Sequence, residues 1–239
     1  MKIKLFTLFP EMFPGPLGYS VVGKALEQGL WSFDAVNIRD YASDKHRTVD
    51  DTCYGGGPGM VMRPDVIDSA LEAHYSSCRP SRLIYLSPRG QRFDQALAKE
   101  LAQTDTIGLL CGRFEGVDQR VLDAWDFEEI SLGDFVLSGG ELAAMSMIDA
   151  CIRLVPGVLG DTESINEESF AEGLLEYPQY TRPFEWKGLM VPEPLRSGHH
   201  ENIKAWRLSQ AEELTRNRRP DLWKAYCELL KVRERIHHE

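Results

Sequence analysis

Three glycine-rich stretches are the first residues in this sequence that could do chemistry. They are Gly55-Gly56-Gly57-Pro58-Gly59, the run GLLCGRFEG at 108–116, and GDFVLSGG at 133–140. Glycine permits positive φ and close approach of the backbone to a ligand, so such loops can grip a small molecule through N–H and C=O groups. One loop alone serves equally well as a tight turn. Three in one domain put a small-ligand site beside that plainer reading. The familiar nucleotide motifs are missing. Gly18, Gly23 and Lys24 imitate a P-loop, but Ala25 replaces the magnesium-binding Ser/Thr, and 19–24 reads as helix. No G-x-G-x-x-G follows the first strand and no G-x-S-x-G occurs, which removes the main support for a dinucleotide fold or an α/β-hydrolase.

Metal and thiol chemistry find little to work with. The six histidines (46, 74, 199, 200, 237 and 238) form no H-E-x-x-H motif, and the five cysteines contain no C-x-x-C pair. That scattered, odd set suits a reducing cytoplasm rather than a disulfide framework. Acidic residues are concentrated instead. Residues 161–180 hold six Asp/Glu and no Lys or Arg, the pattern of a flexible acidic linker or a solvated spacer. The net charge is −10, yet residues 182–239 carry 12 Lys/Arg against 9 Asp/Glu. A basic tail of this kind can meet phosphates or be a solvated face.

These residues must be held by regular elements, and the first 155 residues alternate strand-like and helical patterns. Strands are expected at 3–9, 35–39, 82–86, 106–111 and 129–131, the last extending past Asp134. Helices are expected at 19–28, 65–75 behind Pro64, 95–103 capped by Asp94, 119–124 capped by Asp118, and 141–154. In the last, Leu142, Met145, Ile148, Ile152 and Val155 recur at helical spacing and should face a core. Strand–helix alternation predicts an α/β fold with a largely parallel sheet. Two further helical patterns, 201–216 and 221–236, follow a proline-rich loop. The longest apolar region, 142–160, is broken by Asp149, Arg153 and Pro156 and falls short of a membrane span.

Several long stretches carry a resemblance. They include LFPEMF (8–13), HRTVDDTCYGGGPGMVM (46–62), IYLSPRG (84–90), LLCGRFEGVDQRV (109–121), ISLGDFVLSGGELAAM (130–145), PGVLG (156–160), SFAEGLLEYPQYTRP (169–183), VPEPLRSGHH (191–200) and WRL (206–208). In this order they resemble the bacterial tRNA (guanine-37-N1)-methyltransferases, the TrmD type of the SPOUT class, over essentially the whole chain. The resemblance implies a SPOUT-type parallel sheet with a C-terminal trefoil knot, over 1–160. It further implies a flexible interdomain linker at 161–172 and a small all-α tRNA-binding domain at 173–239. S-adenosylmethionine would lie in the knot against Tyr85, Leu86, Ser87 and Pro88, then Gly112, Phe114 and Glu115, then Ile130, Leu132, Gly133, Phe135, Leu137, Gly139 and Gly140. Glu115 would help position a magnesium ion (Mg2+) or the methionine amine.

The reaction so implied is methylation of N1 of the guanosine just 3′ of the anticodon. Guanine N1 carries a proton at neutral pH, so the reaction needs a general base, and a cation near O6 where negative charge gathers. By position in the family these are Glu168 and Arg153, with neighbouring Glu167 as the alternative base. The family's usual base is aspartate. Taken alone, Arg153 would be a favourable charge at a helix C-terminus, and Asp50 a turn former. The resemblance places Asp50, His46 and Arg47 near the target, and an obligate homodimer with each site shared between subunits. Arg182, Lys204, Arg207, Arg216, Arg218 and Arg219 are the expected tRNA phosphate contacts. The competing readings are a SPOUT enzyme acting on another RNA and a non-catalytic RNA-binding protein.

Overall fold

The computed structural model describes residues 1–160 and 168–236. The chain divides into two compact units, Met1–Gly160 and Asp161–Glu239. The first is built on five parallel strands, β1 (Lys2–Thr7), β2 (Ser32–Asn37), β5 (Arg82–Arg92), β6 (Thr106–Leu110) and β7 (Glu128–Ser131), in the order β2-β1-β6-β5-β7. A short antiparallel hairpin, β3 (Asp50–Thr52) with β4 (Met60–Met62), stands apart from this sheet.

Both faces of the sheet are covered, which explains why its strands read as apolar runs. Successive residues point to opposite faces. Ile3, Leu5, Ile84, Leu86, Ile107 and Leu109 join one apolar cluster, while Phe6, Leu83, Tyr85 and Leu110 join another. Helices α1 (Ser20–Glu27), α3 (Gln95–Ala102) and α5 (Glu141–Ile152) supply buried residues to the first cluster. Helices α2 (Pro64–Tyr75) and α4 (Gln119–Trp125) supply the second. The predicted caps form. Asp94 accepts from the Leu97 N–H at 2.9 Å, Asp118 accepts from the Arg120 N–H at 2.9 Å, and Pro64 opens α2.

Three expectations fail locally. Strand β7 stops at Ser131 instead of passing Asp134, because the chain turns there. The Gly133 N–H donates to Ser131 Oγ at 3.3 Å, and the Phe135 N–H donates back to the Gly133 carbonyl at 2.9 Å. Leu142 is 52 % exposed rather than buried. It shares an outer stripe with Ser146 and Asp149, while Glu141, Ala144, Met145, Ile148 and Ile152 face inward. Strand β5 runs on to Arg92, with its register against β7 interrupted between Leu86 and Gln91. The interruption contains Pro88, which has no N–H for the ladder, and the residues around it leave the sheet to line a cavity.

The second unit is not purely helical. A two-stranded hairpin, β8 (Glu185–Trp186) with β9 (Leu189–Met190), precedes α6 (His200–Arg218) and α7 (Pro220–Ile236). Its core is small: Leu174, Ala211 and Tyr226, with Tyr177, Trp223 and Leu230 packed against them. Thr215 is fully buried and bridges segments, donating to the Ala211 carbonyl at 2.6 Å and accepting from the Leu175 N–H at 2.8 Å.

Candidate cofactor cavity and catalytic residues

The cavity lies beside the carboxyl ends of β5, β6 and β7, where open α/β sheets bind ligands. Its volume is about 360 Å³, within the range of small-molecule sites. Three segments wall it: the bulge after Leu86, the loop after β6, and the loop that joins β7 to α5. Every one of the fourteen positions expected to hold a cofactor lines this single space. Leu86, Ile130, Leu132, Leu137 and Ala143 give it apolar surface, and Ser87 and Glu115 bring polar side chains.

One glycine shows how tightly the wall is drawn. A Cβ on Gly140 would stand 2.8 Å from the Cα of Cys111, a backbone atom that has nowhere to retreat. The Gly140 N–H donates to the Gly112 carbonyl at 3.0 Å, locking the two loops together just ahead of α5. Cys111 lies beneath this junction, and burial drives its thiol well above the ordinary range, so it stays a neutral filler. Burial likewise raises the Tyr85 phenol.

The hairpin β3–β4 is fastened to the same loop. The Glu115 N–H donates to the Met60 carbonyl and the Met62 N–H to the Gly116 carbonyl, each at 2.9 Å. Asp50 therefore begins a strand opposite Met62 rather than sitting in a loop. His46 and Arg47 do lie in a loop, and both are exposed. Asp44 organises it by accepting from the His46 and Thr48 N–H groups at 3.0 and 2.8 Å. Those bonds, the Thr48 contacts foremost, hold the Asp44 carboxyl below its usual range. Arg47 pairs with Asp40 at 3.0 Å.

Arg153 stands at the C-cap of α5, its N–H bonded to the Asp149 carbonyl at 3.2 Å. Glu168 belongs to the second unit and is half-buried, and its carbonyl accepts from the Ala171 N–H at 3.2 Å. The alternative base, Glu167, lies outside the described residues. Among the expected phosphate contacts, Arg182, Lys204 and Arg218 are exposed. Arg207 stacks over Tyr177 and Arg216 over Trp223, with the guanidinium carbon 4.8 and 4.6 Å from the ring centres. Arg219 is paired in fork geometry with Asp221.

A family profile described as tRNA (guanine-1)-methyltransferase TrmD matches residues 1–225. The chain belongs to this family. Relatives called tRNA (guanine-N(1)-)-methyltransferase agree along nearly the full length. One from Rhodospirillum rubrum is 60 % identical over 226 residues, covering 95 % of this chain and 94 % of its own. One from Cereibacter sphaeroides is 57 % identical, covering 95 % and 92 %, and one from Anaplasma marginale is 55 % identical, covering 94 % and 95 %. The family's residue pattern drew attention to the cavity but not to Arg89, Arg113, Val136 or Ser138, which also line it. For Arg113 the signal was present: an arginine inside a glycine loop, with a glutamate directly after Gly139-Gly140.

Proposed function

We propose that this chain transfers a methyl group from S-adenosylmethionine to N1 of the guanosine at tRNA position 37, just 3′ of the anticodon and preceded by another guanosine. The observation that carries this reading is the convergence, on one glycine-walled cavity, of all fourteen positions that the family pattern assigns to the cofactor. The cavity suits that ligand. Leucine and isoleucine side chains offer apolar surface to an adenine, and the backbone of three loops offers directional groups where side chains would obstruct.

Bound there, S-adenosylmethionine would supply a methyl group activated by its sulfonium, with the neutral thioether as the leaving group. The protein's contribution is to the nucleophile. Glu168 accepts the N1 proton as the new bond forms, and Arg153 donates to O6, where the displaced charge collects. Glutamate in place of aspartate extends the reach by about 1.5 Å, which the local backbone must absorb for proton transfer to stay in line. Glu115 positions the methionine amine or a magnesium ion. Among the described residues no group of three or more His, Cys, Asp or Glu side chains converges. Glu115 is therefore the one carboxylate among the cavity's lining residues that would hold such an ion.

The same reading assigns 1–160 to the methyltransferase domain, 161–172 to an interdomain linker and 173–239 to tRNA binding. It includes the trefoil knot that the family resemblance implies. It also includes a homodimer in which the linker and helical domain of one subunit close over the tRNA held at the other's cavity. His46, Arg47 and Asp50 act near the target base, and the six basic residues of the second unit act on phosphates. Among the described residues no helix is long and apolar enough to cross a membrane, and the site of action is the cytoplasm, where tRNA is.

The test is methyl transfer from labelled donor to unmodified tRNA transcripts that differ only at position 37, followed by nuclease digestion and mass spectrometry. Guanosine-37 transcripts should gain one methyl on N1 and adenosine-37 transcripts none. A methyl on a ribose hydroxyl or another base would reassign the substrate. No transfer to any RNA would leave a binding protein.

A further inference from the structure

In the wall of the cavity, and running behind it, lies a polar cluster that the chemistry above does not use. Glu141, the first residue of α5, is 1 % exposed. Its Oε1 accepts from Thr7 Oγ1 at 2.7 Å and from Arg113 Nε at 3.2 Å. Its Oε2 lies 2.9 Å from Arg113 Nη2, in ionic contact but off the hydrogen-bond line. Thr7, fully buried at the end of β1, accepts in turn from the Phe9 N–H at 3.0 Å. Arg113 donates through Nη1 to the Ser138 carbonyl at 3.2 Å, and its guanidinium carbon sits 4.5 Å from the centre of the Phe9 ring. A Cβ on Gly139 would fall 2.3 Å from Arg113 Nε. The residue at 139 is thus glycine because the arginine occupies that space.

A buried carboxylate with one cationic partner is costly to build, since desolvation offsets most of the attraction. Plain packing would have served stability as well. What the pair adds is geometric. One planar fork grips the carbonyl of the turn that walls the cavity, the first residue of the helix behind that turn, and the segment after β1. We infer that Arg113 and Glu141, with Thr7, are positioning residues that hold the Ser138–Gly140 turn in its ligand-ready shape and so set the affinity for the methyl donor. This assignment rests on the proposed function. Arg113 also lines the cavity, whereas Glu141 and Thr7 do not and act only through Arg113 and the turn.

The test uses full-length enzyme and reads donor affinity by titration calorimetry, turnover on tRNA, and melting temperature. Arg113→Lys keeps the charge but loses the fork. It should weaken S-adenosylmethionine binding about tenfold, with KM for the donor rising in step and kcat at saturation falling far less. Arg113→Met strands the buried Glu141 and should lower both melting temperature and affinity. Adding Glu141→Gln removes the stranded charge, so the double variant should regain most of the melting temperature while its donor affinity stays at least tenfold weak. If the double variant regains affinity together with stability, the pair is only structural and the assignment is overturned. Should the methionine variants fail to fold, Arg113→Lys decides alone, and unchanged donor affinity there overturns the assignment. Wild-type enzyme that bound no S-adenosylmethionine would overturn the proposed function and this inference with it. Normal wild-type binding with unaffected variants would overturn the inference alone.

Discussion

The two units of this chain are built in opposite ways. In Met1–Gly160 the cavity is framed by the backbone of close-packed loops, with short and apolar side chains completing its wall. Loops are drawn so close that side-chain atoms are excluded, and two large apolar clusters on either face of the sheet hold them still. In the second unit, among the described residues, the core is three buried apolar residues and a threonine, and long cationic side chains stack on aromatic rings. A guanidinium stacked on a ring has its face fixed in advance, so ordering it on a phosphate costs less entropy. Under the proposed function, the contrast is between a pocket that must not change shape and a surface that must meet a large, charged partner.

The largest effect should come from the second unit's contribution to the chemistry. Glu168→Gln keeps the side chain's size and removes the proton acceptor. Turnover should fall about 10²–10⁴-fold, the usual worth of a general base, while donor affinity measured by calorimetry stays near wild type. Retained turnover would move the base elsewhere and erase the division of labour. Next is Gly140→Ala in the first unit. Its Cβ would press on the Cys111 backbone, and overpacking of this kind costs about 1–3 kcal/mol. Donor affinity should drop about tenfold to a hundredfold, with tRNA affinity little altered in a filter-binding assay. An undisturbed donor affinity would mean that the wall is softer than its geometry suggests.

How legible the molecule was in its sequence follows the same division. The parallel sheet, the helix caps at Asp94 and Asp118 and the start of α2 at Pro64 were all readable, because hydrophobic period and cap chemistry are local signals. The cavity was half readable. Two of the three glycine loops line the cavity and the third, 55–59, does not; which residues meet depends on chain crossings that periodicity does not encode, and only the family resemblance grouped all fourteen. Leu142 misled because an apolar residue at helical spacing was counted toward the core. The buried Glu141 beside it defines the true inward face, and a glutamate is the last residue that a pattern search would bury. The hairpins at 50–62 and 185–190 were missed because strands of two or three residues carry almost no periodic signal.

A sharper form of the comparison separates tRNA from donor. Arg216→Ala should weaken tRNA binding several-fold and reduce the slope of log affinity against log salt by roughly 0.7–0.9, the share of one phosphate contact. Donor affinity should be untouched. Equal loss of both would refute the assignment of cations to one partner and glycine loops to the other. Smaller again, Thr215→Val removes a hydroxyl that is fully buried and bonded on both sides. The Leu175 N–H then loses its acceptor, at a cost of about 1–3 kcal/mol. Melting followed by circular dichroism should show this loss without any change in donor binding, because the small core of the second unit has little else in reserve.

The smallest expected effect is a pH dependence at the start of α7. Asp221 is held down from its ordinary 3.8 to about 2, chiefly by its hydrogen bonds from Arg219 and then by the Leu222 N–H. A carboxyl whose folded-state pKa is depressed stabilises the fold above its unfolded pKa and loses that contribution as pH falls through the folded value. Wild-type protein should therefore lose helix stability relative to Asp221→Asn between about pH 4 and pH 2, and the difference should level off below that. The group is fully exposed, so salt should shrink the effect further. A difference between the two proteins that persists unchanged from pH 7 down to pH 2 would show that the carboxylate's charge is not what tethers Arg219. The stacked and paired cations of the second unit would then owe their order to packing alone.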